Sequence, residues 1–334
     1  MKLASRISVL LLLTGFSVAW TPTQRLSRHQ VQDDANANAP STPASNRRDF
    51  MTALSNLGLG TAVTTTSMLE VPDLALAADT ATNNNGLASR LASRDPSKLG
   101  NSIFNRPPAA QIYPDFMRGV TWDVTSRFGG YLFPSTKIPK STLLNMATIP
   151  GFQKCSIAAT SDIGKEGDVN FGMRILESGL DDRVYNLQQQ IDAYLGYKAV
   201  SEVIYDPKAN PNRISIDFVD YKTRNAERIE LFCNGRESEL VDRGDKNVFV
   251  CSEFIRQVTF SGGPDVGVAR QVSGNYGHFW TWSQDKNSPG DTLTGNLLTA
   301  AYLDAQDPLF FDEPTKPVVV YSHILKATKR TKQS

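Results

Sequence analysis

The chain has 334 residues, 40% hydrophobic and 21% charged, the balance of a folded globular protein with room for one large domain or two small ones. Six of its 35 Lys/Arg and five of its 34 Asp/Glu fall within residues 1–77, so residues 78–334 carry 29 of each sign. A body with no net charge lacks the clustered cations that displace counterions from a phosphate backbone, which argues against a nucleic-acid partner.

Residues 1–19 read as a secretory signal peptide. Lys2 and Arg6 give a positive start, Ile7 to Leu13 an apolar stretch, and Ser17-Val18-Ala19 the small residues that a signal peptidase cuts after. The apolar stretch is short for a bilayer-spanning helix, and a membrane anchor is the competing reading. Trp20 follows the cut. Residues 20–46 are rich in Ser, Thr, Ala and Asn and include Arg25 and Arg28, the composition of a transit segment, although Asp33 and Asp34 depart from its acidic-poor norm. A signal peptide followed by an aromatic residue and a transit segment resembles the bipartite plastid presequences of diatoms and related algae.

Residues 47–77 carry a second signal. Arg47-Arg48-Asp49-Phe50 precedes a mildly apolar stretch, Ala53 to Met68, and Ala75-Leu76-Ala77 supplies a cleavage site before Ala78. This order is similar to a twin-arginine export signal. It implies a mature chain in the thylakoid lumen, with no transmembrane anchor. A long transit peptide that delivers a stromal product is the alternative.

Residues 78–111 are polar, with Asn83-Asn84-Asn85 and Pro107-Pro108, and bury too little apolar area to offset the entropy of ordering them. They are expected to be a mostly disordered lead-in, with a short helical piece near Leu87 to Leu91. From 112 to 330 the dominant period is two. Val120, Trp122 and Val124 alternate with polar neighbours, as do Ile214, Ile216 and Phe218, and Ile229 and Leu231. Further strands are expected at Val248 to Phe260, Val266 to Val272, Tyr276 to Trp282 and Val318 to about Ala327. Turn residues at Asp206-Pro207, Asn210-Pro211, Asn234-Gly235, Arg243-Gly244-Asp245, Gly262-Gly263-Pro264 and Ser288-Pro289-Gly290 separate them. Asp181 to Tyr194 and Leu297 to Leu303 suit either helix or strand. The pattern predicts an all-β fold, an antiparallel barrel of about eight to ten strands, because closure removes exposed edges.

The run Tyr113-Pro114-Asp115-Phe116-Met117-Arg118-Gly119-Val120-Thr121-Trp122-Asp123-Val124-Thr125-Ser126 resembles the opening of an uncharacterised domain family of cyanobacteria and plastids, over roughly Tyr113 to Arg330. Glycine followed by tryptophan on a first strand is also similar to the calycin and lipocalin signature, here one residue longer from Gly119 to Trp122. The calycin resemblance implies that Trp122 closes the barrel floor beneath a cation near the end of the last strand, for which Lys326, Lys329 and Arg330 are the candidates. A plain core position for Trp122 is the other reading.

Three cysteines are too few for a disulfide scaffold and have no metal-ligand spacing, so no metal is called. Cys233 and Cys251 flank an expected hairpin and form a candidate disulfide, or else two small buried side chains. Tyr276, His278, Trp280 and Trp282 are expected to share a strand face and, with Trp122, to line a ligand pocket; plain core packing is the alternative. His278 has the chemistry of a pH sensor. There is no phosphate loop, nucleophile elbow or HExxH motif, and no cofactor can be named. Three roles follow. The first is a lumenal binding or accessory protein that holds a small apolar molecule (a pigment, quinone or lipid) or assists a thylakoid membrane complex. The second is an enzyme on the same architecture, with Asp123, Tyr276, His278 and His323 as candidate acids and bases. The third is a structural photosystem subunit with a filled barrel.

Overall fold

The alternation from Val120 onward becomes nine strands: β1 Val120–Leu132, β2 Asp168–Ile175, β3 Val200–Ile204, β4 Arg213–Phe218, β5 Arg228–Asp242, β6 Lys246–Ser261, β7 Arg270–Asp285, β8 Thr292–Tyr302 and β9 Val319–Lys329. The computed structural model describes residues 86–331, apart from 102–109, 147, 154, 161–166, 221, 224–225, 263–269 and 288–289. The leader segments 1–19, 20–46 and 47–77, with Ala19, Trp20, Arg47, Arg48, Phe50, Ala75 and Ala77, lie outside the described residues.

The strands form one sheet in the order β2-β1-β9-β8-β7-β6-β5-β4-β3, antiparallel throughout. The expected all-β antiparallel class and strand number hold. Closure differs from a hydrogen-bonded barrel, because β2 and β3 are the two ends of the sheet and do not pair with each other. Helix α3 (Arg183–Leu195) runs between them in sequence and packs on both. Its numbering follows two short helices, α1 (Leu87–Ala92) and α2 (Lys140–Asn145).

The stretch that suited either state becomes α3 because its ends are set locally. The Asp182 side chain accepts from the Tyr185 N–H at 3.2 Å, and Gly196 stops the helix at φ 81°. The helix then satisfies the open sheet edges. Asn186 Oδ1 accepts from the Arg174 N–H at 2.6 Å, and its Nδ2 donates to the Arg174 carbonyl at 2.9 Å, so one amide stands in for a missing strand beside β2. At the other end, Asp192 Oδ1 accepts from the N–H groups of Ala199 and Val200, where β3 begins. An unpaired edge is thereby covered rather than left open.

Strands β2 and β3 were not among the expected elements, and the ambiguous 297–303 stretch is part of β8. Asn234-Gly235 is not a turn. It is a bulge inside the continuous strand β5, where the pairing shifts between Cys233 and Gly235.

Both faces of β6 are buried. Phe249, Cys251, Glu253 and Ile255 point inward, while Val248, Val250 and Phe254 belong to a separate outer cluster with Leu87, Leu91 and Leu99. The expected helical piece is therefore present. Its surroundings differ from a disordered lead-in, since residues 86–101 pack on the outer face of the sheet. Glu239 accepts from the Ala88 N–H at 2.9 Å, and Tyr302 donates to the Leu99 carbonyl. Each buried leucine there contributes ~1.5–3 kcal/mol, enough to hold a short segment that composition alone leaves loose. One end of the curled sheet is covered by the stretch around Ile149 to Ala159. The Gln257 side chain accepts from the Ala158 N–H at 3.0 Å and donates to the Cys155 carbonyl at 2.6 Å, and Tyr321 Oη donates to the Pro150 carbonyl at 2.7 Å.

Candidate functional site

Alternation along β7 sends Tyr276, His278, Trp280 and Trp282 inward, opposite Ile255, Glu253, Cys251 and Phe249 of β6. Phe279 points outward onto Phe254, their rings 5.6 Å apart. The four inward residues line a cavity of about 70 Å³, room for several water molecules. Tyr276, His278 and Trp282 are at most 2% exposed, whereas Trp280 between them is only half-buried.

Beside this aromatic wall, on the neighbouring strands β6 and β5 and on α3, is a charged one that sequence reasoning missed. Arg183, the first residue of α3, grips Glu253 with both terminal nitrogens, one of them at 3.3 Å. Arg236 donates through Nε to Glu253 at 2.6 Å and through Nη1 to Asn212 Oδ1 at 2.7 Å. The bulge in β5 places Arg236 there. It adds one residue after Cys233, so that Arg236, not Gly235, pairs with Glu253. The available signal was Glu253 itself, a carboxylate within the apolar run Val248 to Ile255. A buried charge demands a partner, although nothing local names which arginine supplies it.

The electrostatics follow from enclosure. Burial pushes the Glu253 pKa up, but Arg183 and Arg236 outweigh it and hold the carboxyl at about 2. Burial also opposes the Arg183 charge, which Glu253 and then Asp181 more than restore. Asp181 lies 3.9 Å from Arg183 Nε, and burial raises its pKa despite that neighbour. His278 is pushed down to about 3, chiefly by burial, and its Nδ1 shares a 2.9 Å hydrogen bond with Thr299 Oγ1. Burial and then Glu253 raise the Cys233 thiol to about 12, so it stays protonated at neutral pH and is no nucleophile.

The remaining candidates do not join this site. Trp122 is a buried core residue beside Met117, Met173 and Leu325, its Nε1 donating to the Met117 carbonyl at 3.3 Å. The expected cation over its ring is not seen among the described residues. Lys326 pairs with Thr125 and is exposed, and Arg330 donates to Asp123 at 2.9 Å and to Tyr185 at 3.1 Å. Alternation explains these two, for Thr125 and Asp123 lie on the outer face and Trp122 on the inner, whereas Lys329, opposite Trp122 in register, has Asp291 at 4.0 Å. Gly119 precedes β1 with φ 65°, which only glycine adopts without strain. Of the two readings for Cys233 and Cys251, the structure has two buried side chains and no bridge. Both thiols are free and buried, because the register sets Cys233 opposite Ile255 and Cys251 opposite Ser238. Of the candidate acids and bases, Asp123 is on the outer face of β1 and His323 is buried on β9 opposite Leu297, leaving Tyr276 and His278 at the cavity. Among the described residues no three His, Cys, Asp or Glu side chains are placed to hold a metal, and no helix is long and apolar enough to cross a membrane.

These features define a class: an antiparallel β-sheet curled around a cavity with one aromatic and one charged wall, its seam bridged by a helix. Residues 107–331 match the family described as a domain of unknown function, DUF6816, and the chain belongs to that family. No curated protein and no solved structure matches the chain. The Tyr113 to Ser126 run opens the matched region. Its Tyr113 ring packs on Phe249 at 5.3 Å, and the Tyr113 N–H donates to the Gly179 carbonyl at 2.8 Å, fastening the chain just before β1.

Proposed function

We propose that this protein is a non-enzymatic binding or accessory protein of the thylakoid lumen that holds a small ligand in the cavity between β7 and α3. The observation that carries the reading is Trp280, an inward-facing ring that is only half-buried and lines the cavity together with half-buried Arg183 and buried Glu253. A cavity with apolar rings on one side and a few convergent polar groups on the other is the usual form of a small-molecule site. Its volume of about 70 Å³ suits a small molecule, or the ring end of a longer quinone, pigment or lipid, better than a whole pigment. The lumenal placement, and the cyanobacterial and plastid origin of the family, rest on the two leader signals and the Tyr113 to Ser126 resemblance.

Native mass spectrometry of protein isolated from plastids tests the binding role. A bound mass released on denaturation supports it, and a bare chain under gentle release counts against it. A mature N-terminus near Ala78 supports the lumenal route, while retention of Arg47-Arg48 removes it. The small cavity also favours a second reading, a largely filled structural subunit. Co-purification with a photosystem, with no bound mass, selects that reading instead.

A further inference from the structure

A second cavity of about 160 Å³ lies toward the surface, lined by Gln111, Leu176, Leu180, Val184, Tyr205 and Pro207. It shares Asp181, Arg183 and Arg236 with the inner one. These three side chains therefore stand where the two spaces meet.

The charges at this junction are unequal in their engagement. Glu253 serves both guanidinium groups. Arg236 is further held by Asn212 Oδ1 and the Pro211 carbonyl. Arg183 donates to Glu253 through its terminal nitrogens, its guanidinium lies 6.0 Å from the Tyr205 ring centre, and its Nε stands 3.9 Å from Asp181 Oδ2. That distance is an ion pair without a hydrogen bond. Asp181 gives its Oδ1 to Asn186 Nδ2 at 2.9 Å. Burial also moves Asp181 toward its neutral form, which weakens it as a counterion for the second guanidinium. An enclosed guanidinium with a spare donor is best satisfied by an oxyanion, and a carboxylate matches its fork.

Resting on the binding role proposed above, we infer that the ligand is a ring-bearing carboxylate: its carboxylate meets Arg183 at the junction, and its ring lies in the inner cavity against Trp280. The outer cavity is then the approach, and Asp181 competes with the incoming carboxylate for Arg183.

The test compares 3-phenylpropionate with 3-phenylpropan-1-ol, matched in ring and length, by isothermal titration calorimetry on the full chain at pH 7.5. The wild type binds the acid at least about tenfold more tightly than the alcohol, the scale of one charge-assisted hydrogen-bond pair. Arg183→Gln abolishes that preference and leaves alcohol binding in place. Asp181→Asn keeps both guanidinium groups and removes the competitor, so it raises acid affinity several-fold without changing the alcohol; it decides the matter even if Arg183→Gln fails to fold. Equal binding of acid and alcohol by the wild type, or an unchanged acid affinity in Asp181→Asn, overturns the carboxylate inference and leaves the cavity reading standing. If neither compound binds at about 1 mM, the cavity reading falls and takes this inference with it.

Discussion

The inward faces of β6 and β7 change character along their length. Around Phe249 and Trp282 they build an apolar cluster with Trp122, Met173, Leu293 and Leu325. Two positions further along β6, past Cys251, the same face presents Glu253 with two arginines. Both regions are enclosed by the same strands, so fold alone does not account for the difference. Apolar packing is the cheaper way to fill an interior, since buried ion pairs seldom outperform well-packed apolar side chains of similar volume. A charged wall where apolar residues would serve stability equally well is what the binding role proposed above calls for.

The largest expected effect breaks the charged region directly. Glu253→Gln takes away the carboxylate that Arg183 and Arg236 share and costs about 3–5 kcal/mol in urea unfolding. Replacing all three, as Arg183→Met, Arg236→Met and Glu253→Leu together, returns stability to within about 2 kcal/mol of wild type or above it. The contrast between the single and the triple variant separates the cost of an orphaned charge from the worth of the cluster. A triple variant as unstable as Glu253→Gln would show that the cluster holds the fold, contrary to the comparison drawn above.

The next effect is on pH. His278 sits between the two regions and is enclosed enough to titrate only at about 3, whereas an unfolded histidine titrates near 6.5. The unfolded chain therefore takes up the proton first, and stability is lost as pH falls from about 6.5 toward 3. Between pH 7 and pH 5 the His278 contribution is about 2 kcal/mol. Glu253, held at about 2, adds a loss of the same sign only below the ordinary carboxylate range. Asp181, whose pKa burial raises, acts with the opposite sign and favours the folded state on the acid side. His278→Gln isolates the histidine: its stability between pH 7 and pH 5 is flatter than wild type by that amount. Equal slopes in the two proteins would show that the imidazole is open to solvent.

The aromatic wall is legible in the sequence because one strand supplies it. Tyr276, His278, Trp280 and Trp282 are separated by two residues each, and period two is the signature of a shared face. The charged wall is illegible for the matching reason. Arg183 comes from a helix whose sequence suits two states, Arg236 is aligned with Glu253 by a bulge that reads as a turn, and the three meet only through long-range register. Strand β2 was present as a pattern, with Val169, Phe171, Met173 and Ile175 in alternation, but Asn170 and Gly172 weaken its strand propensity. The calycin resemblance pointed to a tryptophan and a basic chain end that are both present, yet β1 alternation puts Lys326 and Arg330 on the other face, and Lys329, opposite Trp122 in register, lies beside Asp291 instead.

A smaller effect tests how the seam is closed. Asn186→Ala removes both of its hydrogen bonds to Arg174, leaving the Arg174 carbonyl the Asp182 N–H at 3.1 Å but its own N–H without that partner, at a cost of about 1–3 kcal/mol. Hydrogen exchange at the Arg174 amide quickens more than at amides in β7, since only the edge loses its partner. Uniform acceleration across the sheet would mean that the helix and the sheet open as one unit.

The smallest effect compares the entry to β1 with the β5–β6 turn through glycine. Gly119 enters β1 beside the apolar region with φ 65°, and Gly244 turns β5 into β6 with φ 74°. An alanine at either position pays about 1 kcal/mol for the left-handed backbone. A Cβ at Gly244 meets open space, whereas one at Gly119 meets the end of the Glu177 side chain, a flexible group able to swing away. Urea midpoints of Gly119→Ala and Gly244→Ala at unchanged m value are therefore expected to shift alike, within about 0.5 kcal/mol. A markedly larger loss for Gly119→Ala would mean that Glu177 is fixed in place, and that the Gly-x-x-Trp entry to β1 is held by that carboxylate as well as by backbone conformation.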